Sequence, residues 1–92
     1  MNFKEYQEEV VKMPLYDNVL YGLIGELGEC IELIKKSERQ GSKKQVFTHE
    51  RIEEEFSDVL WYLARAMNIY GVDMNEAAKN NIKKLKKRHG IE

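Results

Sequence analysis

Glu26-x-x-Glu29 and Glu55-x-x-Asp58 repeat one spacing of carboxylates inside stretches whose apolar residues otherwise recur at helical period. Residues three apart on a helix lie about 60° from each other around its axis, so each pair offers its oxygens on one side. Four acidic groups gathered beside a core repel one another unless a cation neutralises them. Hard oxygen ligands of this kind suit Mg²⁺ or Mn²⁺. One such pair alone reads as a solvated helix face. Two matched pairs, one aimed inward, read as a metal site.

The inward member emerges from projecting each helix at about 100° per residue. Glu55 falls within the apolar arc of its helix, near Ile52, Val59 and Tyr62, and Asp58 sits at the edge of that arc. Glu26 borders its stripe beside Leu23 and Cys30, and Glu29 lies farther round, next to Gly22 and Gly25. Asn81, Lys84 and Arg88 recur at i, i+3 and i+7 beside Ile82 and Leu85. Carboxylates on two helices with an amide, an amine and a guanidinium on a third form an inventory that suits a polyphosphate bound through metal.

The elements that must position these groups are four helices, with no strand pattern. Asn2 and Glu5 form a capping box that opens a short helix ending near Lys12, ahead of Pro14. Asp17 opens a second, striped by Leu20, Leu23, Ile24, Leu27, Ile31 and Ile34 and running to about Gln40, with Gly41 as its left-handed cap. Gly22, Gly25 and Gly28 weaken that helix, so their repetition predicts close approach of another backbone or a ligand. Residues 41–48 read as a mobile basic loop. Thr48 caps a third helix striped by Ile52, Phe56, Val59, Leu60, Leu63 and Met67, ending at Tyr70 before Gly71. Asp73 and Glu76 form a second capping box, opening a fourth helix with Met74, Ala78, Ile82 and Leu85 inward and a close near His89-Gly90. The expected architecture is all-α and four-helix bundle-like, with a short N-terminal helix and three longer ones.

Ninety-two residues make one small domain, 1–92, whose modest core predicts completion by self-association. A net charge of −1 and a pI near 6.1 argue against a general nucleic-acid binder. Charge is nonetheless segregated: from Lys79 onward there are six lysines and arginines and one acid. For Lys79, Lys83, Lys86 and Lys87 a solvated helix end, with cations at the negative pole of its dipole, is sufficient explanation. The single cysteine, Cys30, fits a reducing compartment. No apolar run approaches the roughly 20 residues that span a bilayer, and the first residues lack the apolar stretch of a signal peptide. A cytoplasmic protein with no membrane partner is expected. Cys30, Met13, Met67 and Met74 read as packing, His49 and His89 as surface or cap residues, and Trp61 as an association surface in preference to a base-stacking platform.

The blocks Gly25-Glu26-Leu27-Gly28-Glu29-Cys30-Ile31-Glu32 and Glu54-Glu55-Phe56-Ser57-Asp58-Val59-Leu60-Trp61-Tyr62-Leu63 are followed by Gly71-Val72-Asp73 and by Asn81 to His89. In that order they resemble the MazG-like nucleoside triphosphate pyrophosphohydrolases, over roughly residues 17–89. Ser57 stands where glycine is frequent, and His89-Gly90 replaces a common Tyr-Pro ending. The resemblance implies an all-α enzyme that hydrolyses a nucleoside or deoxynucleoside triphosphate to monophosphate and pyrophosphate. It implies Glu26, Glu29, Glu55 and Asp58 as Mg²⁺ ligands and catalytic groups, and Asn81, Lys84 and Arg88 as substrate contacts. It further implies a homodimer or homotetramer.

Three rivals stand against this reading. A di-iron carboxylate bundle needs Glu-x-x-His pairs, whereas Val46 and Lys86 stand three before His49 and His89. A non-catalytic helical module for protein interaction is another rival, against which the inward Glu55 argues, and a family member that binds nucleotide without turnover is a further one, against which the intact quartet of acids argues.

Overall fold

The computed structural model describes residues 1–39, the side chain of residue 39 excepted, and 48–91. Gln40, Gly41 and the basic loop expected over 41–48 therefore lie outside the described residues, apart from Thr48. The described residues form four helices and no strand: α1 (Phe3–Val10), α2 (Val19–Arg39), α3 (His49–Ile69) and α4 (Met74–Arg88). The all-α expectation holds. These helices group into two compact units, residues 15–63 and residues 1–14 with 64–92.

Local signals in the sequence set most helix ends. The Asn2 carboxamide oxygen accepts from Glu5 N–H at 2.8 Å and Glu5 Oε1 accepts from Asn2 N–H at 3.1 Å, completing the capping box. At α3 the Thr48 hydroxyl accepts from Arg51 N–H at 3.2 Å. Asp73 caps α4 by accepting from Glu76 N–H at 3.0 Å. Gly71 and Gly90, with φ of 68° and 66°, take the left-handed positions that follow α3 and α4. Val72 N–H and Ile91 N–H then reach back to the carbonyls of Met67 and Lys86, both at 2.8 Å. One cap differs from expectation. Asn18, not Asp17, accepts from the first turn of α2, through Leu20 N–H at 2.9 Å, and Asp17 instead accepts from the Tyr62 hydroxyl at 3.4 Å.

In the unit built of α1, α4 and the end of α3, the buried amide of Gln7 is the main tie. Its Oε1 accepts from Met74 N–H at 2.8 Å, and its Nε2 donates to Val72 carbonyl at 2.8 Å and to Asn68 Oδ1 at 3.1 Å. Asn68 Nδ2 returns a bond to the Gln7 carbonyl at 3.0 Å, and Arg65 Nη1 donates to the Val10 carbonyl at 2.6 Å. Val10 and Met74 are buried here. On α4 Ala77 and Leu85 are half-buried, whereas Ala78 and Ile82, expected inward, are exposed, as is Met13.

In the other unit, α2 buries a different row from the one its large apolar residues suggest. Val19, Gly22, Cys30 and Leu33 are buried and Glu26 is half-buried, at spacings of three and four. Of the expected core stripe, Leu23 and Ile34 are half-buried, whereas Leu20, Ile24, Leu27 and Ile31 are 44, 69, 51 and 52 % exposed and form an outer row about 100° round the helix. The reason is close approach: Gly22 lies under the ring of Tyr62, which leaves no room for a side chain. On α3, Phe56 is exposed, whereas Ile52, Val59, Leu60 and Leu63 are half-buried.

Candidate metal and phosphate site

Glu26 and Glu29 stand one turn apart on α2, and Glu55 on α3, all within the same unit. Each offers one carboxylate oxygen, and the three oxygens lie within 4.8 Å of one another. Their exposure is graded: Glu55 is 6 % exposed, Glu26 half-buried and Glu29 exposed. Glu55 thus sits where the helical projection places it. Its Oε1 faces Arg51 Nη2 at 3.2 Å, one turn earlier on α3. Its Oε2, like Oε2 of Glu26, is buried with no hydrogen-bond partner among the described residues. Buried polar atoms are nearly always paired, and an unpaired one carries a desolvation cost of about 1–3 kcal/mol, more for a charged group.

The titration behaviour of the neighbourhood records the same crowding. Glu26 is pushed up to about 6, first by burial, then by the charges of Glu29 and Asp58, a side-chain hydrogen bond with Glu29 and the charge of Glu55. Burial and the charges of Glu54 and Glu29 raise Asp58. The buried Cys30 thiol is raised by desolvation and then by Glu55, Glu26, Asp58 and Glu29, so all four acids of the two pairs converge electrostatically on it. Asp58 is exposed and does not join the trio of near oxygens.

This donor set fits a hard divalent cation. Mg²⁺ binds oxygen at about 2.1 Å, so opposite ligands stand about 4.2 Å apart, and oxygens within 4.8 Å reach that span by small side-chain shifts. Two of these carboxylates already hold a buried unpaired oxygen, the atom a cation would satisfy. An open groove of about 470 Å³ adjoins them, lined by Gly25, Gly28, Glu29, Glu32, Leu33, Lys36, Arg51 and Glu55. A Cβ at Gly25 or Gly28 would meet nothing within 4 Å, so these glycines leave the groove open where Gly22 closes a helix contact.

Asn81, Lys84 and Arg88 lie along α4 in the other unit, all exposed. Sequence reasoning did not single out Arg51 or Lys36. The signal for Arg51 was present, since a guanidinium four residues before an inward carboxylate stands over it on the helix. Trp61 is half-buried, edge-on to Tyr62 with ring centroids 5.0 Å apart and planes at 83°. Burial and then the Asp17 charge raise the Tyr62 phenol. His49 and His89 are exposed, and His89 is the C-cap of α4.

Comparison with known proteins shows the family. The MazG nucleotide pyrophosphohydrolase domain matches residues 16–90, a stretch that holds all four acids and the α4 row. The "Gene 37 protein" of Mycobacterium phage L5 is 36 % identical over 73 residues, covering 76 % of this chain and 62 % of the relative. The chain thus matches less than two thirds of that relative's length. No solved structure matches. Three carboxylates from two helices converge within the matched stretch, and the chain belongs to the family of MazG nucleotide pyrophosphohydrolase domains.

Proposed function

We propose that this protein hydrolyses a nucleoside or deoxynucleoside triphosphate to the monophosphate and pyrophosphate in a Mg²⁺- or Mn²⁺-dependent reaction. The observation that carries the reading is Glu55: a carboxylate 6 % exposed, with an unpartnered oxygen, within 4.8 Å of oxygens from Glu26 and Glu29. Arg51 meets one of its oxygens, and the other, buried and unpartnered, stays costly unless a further cation joins it. Glu26, Glu29 and Glu55 would hold the metal, with Asp58 completing the set. Bound there, the cation supplies charge neutralisation for phosphate oxygens and a lowered pKa for coordinated water.

The chain's own groups perform the rest. Glu26 or Glu29 accepts the proton of the water that attacks the α-phosphorus. Asn81, Lys84 and Arg88 contact the substrate and stabilise the negative charge of departing pyrophosphate. Residues 1–92 act as one such domain, in the cytoplasm; no described helix is long and apolar enough to cross a membrane. Homodimer or homotetramer formation covers the outer row of Leu20, Ile24, Leu27 and Ile31, since an apolar stripe of that length at helical spacing is costly in water and suits a second helix.

The test is to incubate purified protein with a panel of ribo- and deoxynucleoside triphosphates, with and without Mg²⁺, and identify products. Monophosphate and pyrophosphate are expected. Diphosphate and phosphate, or no metal-dependent turnover across the panel, would overturn the proposal.

A further inference from the structure

The ion pair at the mouth of the acidic cluster has a role that its surface position conceals. Arg51 is half-exposed, and exposed i, i+4 pairs contribute only a few tenths of a kcal/mol to a helix. Its partner is not exposed. Glu55 Oε1 receives Arg51 Nη2 at 3.2 Å while Oε2 stays unpaired, on a side chain more than nine-tenths buried. The guanidinium is therefore the counter-charge of the innermost carboxylate, and it reaches that carboxylate from the groove side, where Glu29, Glu32 and Lys36 also line the wall.

We propose that Arg51 is a built-in competitor for the divalent cation: it holds Glu55 while the metal is absent, and metal entry breaks the Arg51–Glu55 pair. This rests on the metal role proposed above for Glu26, Glu29 and Glu55. The argument is one of charge and valence. Glu55 offers two oxygens; the guanidinium takes one and leaves the other for the cluster. A divalent cation drawn between Glu26, Glu29 and Glu55 meets a positive group 3.2 Å from one of those carboxylates, and like charges at such short range repel by about 1 kcal/mol or more even at high effective dielectric. Metal and guanidinium thus oppose each other on one carboxylate. Arg51 sits at the start of α3, three residues after the Thr48 cap, and its side chain lines the groove. The pair offsets the charge of Glu55 before loading and sets a threshold of cation concentration for the site.

Lys36 provides the control, because it lines the same groove on α2 yet is not the partner of Glu55. Mn²⁺ affinity without nucleotide, measured calorimetrically at pH 8, should rise about threefold or more in Arg51→Gln. It should stay near wild type in Arg51→Lys, which keeps the charge, and change less in Lys36→Gln than in Arg51→Gln. Addition of Mg²⁺ to ¹⁵N-arginine-labelled wild-type protein should shift the Arg51 Nε–H signal and speed its exchange with solvent. An Arg51→Gln affinity equal to or below wild type, equal gains in Arg51→Gln and Lys36→Gln, or an Arg51 signal blind to Mg²⁺ would each overturn the inference and leave the proposed metal site standing. Wild-type protein that binds no Mn²⁺ would overturn the proposed site and the competition together.

Discussion

The ring of Tyr62 occupies the space in which a Cβ on residue 22 would stand, with Cε1, Cζ and Cδ1 all on top of that position. α2 and α3 can approach there only because residue 22 is glycine. The same ring is held from its far end, where the hydroxyl donates to Asp17. Gly22→Ala must therefore move the ring or the helix, and overpacking of this kind costs about 1–3 kcal/mol. The measurement is denaturant unfolding; a midpoint at or above wild type would mean that the ring has room to turn.

Gly25 and Gly28 should respond in the opposite direction. With nothing within 4 Å of an added Cβ, Gly25→Ala and Gly28→Ala each gain up to about 1 kcal/mol of helix propensity and raise the melting temperature. Both methyl groups would intrude on the groove beside Glu29 and Glu55. The expected profile is a more stable protein with lower kcat/KM, and variants matching wild-type activity would show that substrate does not use the groove.

Glu55→Gln removes the charge and keeps the shape. Turnover should fall by about 100-fold or more and Mn²⁺ binding should weaken sharply, since Glu55 is the innermost of the three clustered carboxylates. Far-UV circular dichroism should match wild type. Retained activity would remove Glu55 from the ligand set.

The raised acids make metal-free stability depend on pH. Glu26 titrates at about 6 in the fold against 4.5 for the free side chain, so between those values the native state holds more protons than the unfolded chain. Stability then falls as pH rises through that window, and Asp58 acts in the same direction from its own ordinary value upward. Glu26→Gln should flatten the slope between pH 4.5 and 6. Mg²⁺ should raise the melting temperature more at pH 7.5 than at pH 5, where protons already neutralise Glu26. A thermal-shift series over pH with and without Mg²⁺ checks both.

The exposed row on α2 predicts assembly. Sedimentation should give a mass at least twice that of the 10.9 kDa chain, and Ile24→Glu with Leu27→Glu should shift it toward monomer by placing charge in an apolar contact. A wild-type monomer would remove the second copy from the proposal.

Much of this was legible in the sequence because it depends on local chemistry. Asn2, Thr48, Asp73, Gly71 and Gly90 set helix ends through bonds within a turn, and the apolar arc around Glu55 required only a period. The buried face of α2 was not legible in the same way. Its large residues form one row, but the row that packs contains Gly22, Glu26 and Cys30, chosen for closeness and charge, which a hydrophobicity pattern cannot rank. Asp17 was misread as a cap because Asn18 beside it is equally suited, and a distant hydroxyl decided between them. Three of the four acids meet as their spacing suggested. Asp58 remains apart on the exposed edge of its arc, although Glu26 and Glu29 share its three-residue spacing and both reach the cluster, so spacing alone did not decide it.

The Gln7 amide connects two parts of the chain that are far apart in sequence. The family match begins at residue 16, so α1 lies ahead of it. Yet Gln7 supplies the partners of Met74 N–H and Val72 carbonyl, at the turn that launches α4 within the matched stretch. A fragment trimmed to the family's border would expose that turn to water and release the helix carrying Asn81, Lys84 and Arg88 from its anchor. The eight-residue α1 thus fastens the α3–α4 corner through a single buried side chain.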